Sequence, residues 1–421
     1  MTYNLRLTTA YSLLSVIAMR SNPRVRAYLL ALLLPGVLCL TACGREETEA
    51  TPDHRFTRVY DNGLAGGSYD PLDVRQTADS GYLMLGALND WDVYLMKADR
   101  NGNFQWEAKL GKPYVNALPN LFAIGKDHYF FCMDGITLGT YLMKIDEAGQ
   151  TAQPVKSFSE ASYPLAVSAT PEGGFLLQYY HREEKSTGLA KIGADYDVVW
   201  KNKYGVKQDV EQYIVAHLTR IGDRLPFQTG ISADGYYLNG FANYTFSMVF
   251  VNPGNGEQTG VLNGFRDQGA ISAALHLADN QFALARYSFG ENHLHPQQPL
   301  NPRGVGSVGD LKESSFPEII PNGRVILHRM TVNGQDAVLY AAQSKSSQII
   351  LYAFGARTND LLGKHYLGYG NPYDVAGFTA TGDGGLVVLG KTYVAGRFPR
   401  LCLFKLSKED LNEFVKPKQV E

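Results

Sequence analysis

The chain has 421 residues, too many for one ordinary core of about 100 to 200 residues unless it is a repeat array or a large barrel. Aromatic residues make up 12% of it, glycines number 43 and charged residues only 19%, a mixture that excludes a disordered chain and suits many short strands joined by turns. Residues 1–42 hold four basic side chains (Arg6, Arg20, Arg24 and Arg26) and no acidic one, leaving 35 basic against 41 acidic residues beyond them. That balance sets nucleic acid aside as a partner, because phosphate backbones require clustered Lys and Arg.

The first element is an address. Arg20, Arg24 and Arg26 precede the uncharged run 27–40, which contains Leu29, Leu30, Leu32, Leu33 and Leu34. A basic stretch followed by about 7 to 15 apolar residues is a secretory signal and too short for a comfortable membrane span. The run ends in Leu40-Thr41-Ala42-Cys43, which resembles the bacterial lipobox. That resemblance implies cleavage before Cys43, a diacylglycerol thioether on its sulfur, and membrane attachment through the lipid. The basic region is better formed if translation starts at Met19. Residues 43–53 are polar and acidic and read as a flexible tether. Acidic residues after the cysteine, and the lack of Asp at position 44, resemble surface-directed lipoproteins of Bacteroidetes-type bacteria and imply an outer-membrane location, on its periplasmic or cell-surface side.

From residue 54 to 412 the chain reads as a repeat. Phe56 to Tyr60 has the look of a lone strand. The next unit contains four: Leu72 to Thr77, Tyr82 to Ala87, Val93 to Ala98 and Phe104 to Leu110, with Ser80-Gly81 and Asn101-Gly102 as turn signals. Tyr94-Leu95-Met96-Lys97 recurs as Tyr141-Leu142-Met143-Lys144 and as Gly188-Leu189-Ala190-Lys191, each lysine 47 residues after the last, and again as Cys402-Leu403-Phe404-Lys405. Thr77-Ala78-Asp79-Ser80-Gly81 returns as Thr170-Pro171-Glu172-Gly173-Gly174 and Thr381-Gly382-Asp383-Gly384-Gly385, while Trp106 and Trp200 each lead to a glycine five residues on. Antiparallel four-stranded units of about 40 to 50 residues are propeller blades, so the expected fold is an all-β propeller. First strands near Leu72, Leu118, Leu165, Ile214, Ile271, Val325 and Val375 give seven blades, with six or eight also fitting. The last unit lacks a fourth strand, and Phe56 to Tyr60 would complete it and close the ring. Residues 413–421 read as a C-terminal tail.

The Gly-Gly turn, the Leu-x-Lys strand and the Trp strand resemble the repeats of propeller lipoproteins of Bacteroidetes-type bacteria and, more loosely, pyrroloquinoline-quinone-like propeller repeats. The resemblance implies fold and address, and it brings no catalytic residue.

Motif chemistry is otherwise sparse. Asp99-Arg100-Asn101-Gly102-Asn103 begins like a calcium loop but lacks its terminal Glu, and Gly304-Val305-Gly306-Ser307-Val308-Gly309 has no helix or βαβ unit around it. Cys132 and Cys402 stand in apolar runs and read as buried free thiols. No cofactor, metal set or catalytic residue is expected. His293, His295 and Arg303 lie in the Pro- and Gly-rich stretch 290–315, read as a long fifth-blade loop on the face where variable connections gather, and they are the candidate ligand-binding residues. The expected function is a lipid-anchored, non-enzymatic binding or scaffolding module for a protein or glycan, the alternative being a glycan hydrolase or lyase on the same ring.

Overall fold

Short runs of Leu, Val, Tyr and Phe between tight polar turns fold as antiparallel strands. The computed structural model describes residues 55–61, 67–221, 224–264, 269–312, 314–393 and 398–416. The expected signal peptide, the Met19 start, the lipobox with Cys43 and the tether lie outside the described residues. All of the described residues belong to one compact unit, His54 to Glu421.

After β1 (Phe56–Tyr60), the strands come in successive antiparallel sets. The first is β2 (Tyr69–Gln76), β3 (Tyr82–Leu88), β4 (Asp92–Ala98) and β5 (Phe104–Lys109). The second has two fragments, β6 (Tyr114–Val115) and β7 (Phe122–Ile124), then β8 (Asp127–Asp134), β9 (Thr140–Asp146) and β10 (Thr151–Phe158). The third is β11 (Pro164–Ala169), β12 (Phe175–His181), β13 (Ser186–Ile192) and β14 (Val198–Gly205), followed by helix α1 (Glu211–Thr219). The fourth is β15 (Gln228–Ser232), β16 (Gly235–Ala242), β17 (Thr245–Val251) and β18 (Gln258–Asn263). The fifth is β19 (Ala270–Ala278), β20 (Gln281–Ser288) and β21 (Glu291–Pro299), after which β22 (Val305–Ser307) crosses to pair in parallel with β18. The sixth is β23 (Val325–Val332), β24 (Gln335–Gln343), β25 (Ile349–Gly355) and β26 (Leu361–Leu367). The seventh is β27 (Tyr373–Ala380), β28 (Leu386–Tyr393) and β29 (Pro399–Leu406), and helix α2 (Lys408–Phe414) ends the described chain.

These sheets are the blades of a β-propeller. β1 pairs with β29 from Phe56 opposite Lys405 to Tyr60 opposite Leu401, so the seventh blade takes its outer strand from the N-terminal end. Its innermost strand β27 meets β2 of the first blade: the Arg75 guanidinium donates to Thr379 Oγ1 at 3.4 Å, and the Gly382 amide donates to Gln76 Oε1 at 2.7 Å. Second strands are buried on both sides, as β3 is at every position, because each blade is sandwiched between two others. Outer strands such as β5 face solvent, with Trp106 its one buried residue.

The repeated motifs are the fasteners of this ring. In the first blade Lys97, buried on the third strand, donates to Asp79 in the turn joining strands one and two at 2.6 Å, while the Gly81 amide donates to the same carboxylate at 3.0 Å. Lys405 and Asp383 repeat the pair at 2.9 Å, and Lys191 reaches Glu172 at 3.6 Å. A second fastener joins blades. Trp200 on β14 lies over Gly256 in the fourth blade's turn between strands three and four, its Nε1 donating to the Pro253 carbonyl at 2.9 Å, and Tyr204 Oη donates to the Gly256 carbonyl at 2.6 Å. Phe56 and Tyr60 on β1 do the same to Gly102 of the first blade, with Tyr60 Oη 2.9 Å from its carbonyl. Both glycines have positive φ, 75° at Gly102 and 73° at Gly256.

Four sequence expectations are corrected. Ile214 is no first strand: Val210, Ile214 and Leu218 recur every four residues and bury one side of α1, so the fourth blade starts at Gln228 instead. Leu118 keeps a single ladder bond, its amide donating to Phe131 at 2.9 Å, because Asn116 and Asn120 take positive φ around Pro119 and break the strand. Residues 290–315 are no free loop, since Glu291–Pro299 forms β21 and Val305–Ser307 forms β22. The boundary drawn at residue 412 falls inside α2, whose Leu411 and Phe414 are buried.

Candidate functional site

Strand order assigns every connection to one of two faces. Turns joining strands one to two and three to four share a face, and those joining two to three, together with the passages between blades, share the other. The first face is built of short polar turns such as Asp99–Gly102, Asp279-Asn280 and Asn333-Gly334. The second carries exposed apolar side chains: Trp91, Ile136, Tyr244, Phe289 and Phe398 at the tips between second and third strands, Tyr369 before β27, and Tyr213, Val215 and Ile221 on or after α1. Phe289 is 78% exposed and Tyr369 91%. Every other large apolar side chain that is exposed among the described residues lies in an outer strand, and none in a turn of the polar face.

At the centre of the apolar face is a charged well. Residues 206–227 leave the third blade and carry α1 across the mouth of the ring, where Val210, Ile214, Leu218 and Leu225 pack with Val115, Tyr163, Phe241 and Tyr287 of four different blades. Beyond α1, Arg220 donates to the carbonyls of Asp90 and Ala117 in the first and second blades. Its Nε also meets the Asp70 carboxylate at 3.1 Å. Arg224 donates to the same carboxylate, and Lys391 Nζ reaches it at 3.2 Å and Asp374 at 3.8 Å. Asp70 and Asp374 are each the second residue of an innermost strand, β2 and β27, at the end where passages between blades arrive.

Electrostatics at the well follow from enclosure. Arg324, just before β23, is accessible to water yet surrounded by protein, and burial lowers its pKa against the opposing pull of Asp374 and Asp73. Burial is also the main cause that brings Arg220 and Arg224 down to about 10, with repulsion from Arg324 adding to it; both remain cations at neutral pH. His217 on α1 is held at about 3 by burial, then by Arg220 and Arg324, and stays neutral, its Nδ1 accepting the Leu225 amide at 3.1 Å. Deeper in the channel, burial and Arg75 hold His328 at about 4, with its ring against Phe378 at 4.9 Å. Polar groups there also tie blades together: Asp73 accepts the Leu121 amide at 2.7 Å, and the Asn120 side chain donates to the Val167 carbonyl at 2.7 Å.

The residues singled out from sequence are dispersed. His293 and His295 are buried on β21; His293 Nδ1 accepts the Ser314 amide at 3.1 Å, and His295 Nε2 accepts from Arg286 Nε at 3.3 Å. Burial, then Arg286 and His293, bring His295 down to about 4. Arg303 lies past the far end of β21, exposed, paired with Asp234 at 3.1 Å beside a surface hollow of about 450 Å³ at Ser232 and Pro302. The structure does not bring it to the histidines. Cys132 and Cys402 are free and buried, and burial raises both thiols, Cys402 to about 12. Among the described residues no three His, Cys, Asp or Glu side chains are grouped as metal ligands. Sequence reasoning missed Asp70, Arg220, Arg224, Arg324 and Lys391; the recurrence of Tyr69-Asp70 as Tyr373-Asp374 and the four-residue spacing of Val210, Ile214 and Leu218 were the available signals for the well and the inserted helix beside it.

No family model and no curated protein matches the chain. Among solved structures it is similar to the β-propeller domain of the Trilobed protease from Pyrococcus furiosus, at 11% identity and TM-score 0.46 over 83% of this chain and 100% of that one. The S. cerevisiae core factor matches at 9% and 0.47 over 84% and 61% of the two chains. A mutant of AofleA from Arthrobotrys oligospora matches at 9% and 0.39 over 83% and 86%. Likeness at this level transfers no residue role or activity.

Proposed function

We propose that the chain is a lipid-anchored β-propeller of the bacterial outer membrane that binds a protein partner through its apolar face, without catalysing a reaction. The observation that carries this reading is the asymmetry of the two faces: among the described residues, nine exposed apolar side chains lie in the connections of one and none in the turns of the other. Exposed aromatic residues gathered on one face are enriched at interaction sites. Aliphatic Ile136, Val215 and Ile221 among the aromatics favour a protein over a glycan, whose rings prefer flat aromatic platforms. The chain enters the ring at Phe56, beside Gly102 on the polar face, which leaves the apolar face open to a partner. The carboxylate of Asp70 serves as counter-ion to cations, a role that supports binding over acid–base work.

Two measurements in the producing cell test the proposal. Cys43→Ser is expected to move the protein from the membrane fraction to the soluble one, and wild-type protein found wholly soluble would sink the anchor. A photo-crosslinker at Phe289 or Tyr369 is expected to trap one partner band that the same group at Asn333 or Asn359, on the polar face, does not. Equal labelling from both faces, a glycan adduct, or no adduct from the apolar pair would overturn the docking assignment.

A further inference from the structure

We infer that the charged well binds a carboxylate of the docked partner, from an acidic side chain or a chain terminus, through Arg324, Arg224 and Lys391. The inference rests on the proposed docking of a protein to the apolar face and names what the centre of that face recognises.

The argument begins with charge. Four cations, Arg220, Arg224, Arg324 and Lys391, share the well with three carboxylates, Asp70, Asp374 and Asp90, the last acting on Arg220. Arg75 and Asp73, further in, lie 3.7 Å apart and compensate each other. Asp70 alone meets Arg220, Arg224 and Lys391, so its lone pairs are taken. Arg324 has no hydrogen-bond or ion-pair partner among the described residues, although it is enclosed by protein. A guanidinium that is enclosed by protein yet open to water keeps its donor fork free for an incoming oxyanion, which would also relieve the repulsion among the cations.

Access and shape agree with this. Arg220 is nearly sealed at 8% side-chain exposure and serves to hold α1 to Asp70, whereas Arg224 at 30% and Lys391 at 22% remain open to solvent. The planar fork of Arg matches a carboxylate through two parallel hydrogen bonds, and Lys supplies a movable third donor. The apolar rim of Trp91, Ile221 and Tyr369 would exclude water around the pair once a partner is seated, which strengthens it.

The test uses the purified full chain in detergent and small probes, so it does not depend on the partner. Sodium acetate, sodium sulfate and sodium chloride are titrated at matched ionic strength while the melting temperature is followed. Acetate is expected to raise it saturably over chloride, and Arg324→Gln to weaken the half-saturation at least about tenfold. Arg324→Lys, which keeps the charge and loses the fork, is the second variant should the first fail to fold, and it is expected to weaken acetate as well. General salt stabilisation is unsaturable and equal in wild type and variants; that outcome overturns the site. Saturable binding of sulfate without acetate overturns the carboxylate assignment. Tyr244→Ser separates the two readings, since it is expected to weaken the partner crosslink formed from Phe289 while leaving the acetate response intact.

Discussion

Gly102→Ala tests how the ring is held shut. Gly102 sits in the first blade's turn between strands three and four with φ 75°, a left-handed conformation that costs a residue with a side chain about 1–2 kcal/mol. A Cβ there would lie 2.4 Å from Phe56 Cε2 and 2.9 Å from Arg58 Cγ, both on β1. The Phe56 ring cannot turn aside freely, because its edge-to-face contact with Tyr82 at 5.8 Å goes with it. Overpacking of this kind adds about 1–3 kcal/mol. Gly334→Ala is the matched control: φ is 74°, and a Cβ would meet nothing within 4 Å, so it bears the backbone term alone. The excess of about 1–3 kcal/mol in Gly102→Ala should appear as local opening of β1, roughly 5- to 150-fold faster hydrogen exchange at the amides of Phe56–Tyr60 relative to the control. Tyr60→Phe, which loses only the 2.9 Å hydrogen bond to the Gly102 carbonyl, should give about 1 kcal/mol of the same effect. Indistinguishable exchange at β1 in Gly102→Ala and Gly334→Ala would refute the reasoning.

The fasteners and the fifth blade give two more expected outcomes. Burial pushes the Asp79 carboxyl up, but hydrogen bonds from Lys97, Thr77 and the Gly81 amide overcome it and hold it at about 2. Its folded value is depressed below the ordinary 3.8, so its stabilisation is full above that pH and lost as the pH falls through about 2. In urea titrations at stepped pH, the stability difference between wild type and Asp79→Asn should shrink across that window, and a constant difference counts against the pair. Deleting residues 290–315 removes β21 and β22 and should abolish cooperative folding of the ring; a deletion variant that still melts in one sharp transition would contradict the strand assignment.

What is legible in the sequence is what the ring repeats. The Lys97, Lys191 and Lys405 phrases and the Thr-x-Asp-x-Gly turns are far apart in the chain, but they are two halves of one contact in each blade, so they had to recur together. The spacing shared by Phe56 with Tyr60 and by Trp200 with Tyr204 has the same origin, since both pairs clasp a glycine turn in the next blade. The polar and variable faces can also be told apart from turn lengths. The insertion at 206–227 stays hidden as long as every apolar run is assigned to a strand, and Ile214 then falls in a sheet although its neighbours at Val210 and Leu218 keep helical spacing. His293 and His295 stand out by chemistry and not by pattern: on β21 they alternate with Leu294 and pack inward, where Arg286 and the Ser314 amide satisfy them.

The same division explains why function is harder to read than fold. A contact that every blade needs is written several times, and each copy corroborates the others. A ring with a single well has one centre, and of the side chains that converge there only Asp70 and Asp374 share a position in their blades, while Arg220, Arg224, Arg324 and Lys391 stand where their segments depart from the repeat. Their proximity across 154 residues between Asp70 and Arg224, and across 321 between Asp70 and Lys391, exists only once β1 and β29 have closed the ring and α1 has crossed its mouth. Closure therefore does more than remove an open sheet edge. It sets β2 beside β27, brings the Asp70 carboxylate within reach of Lys391, and so assembles the well from the two ends of the chain; loosening β1 should weaken acetate binding before it unfolds any blade.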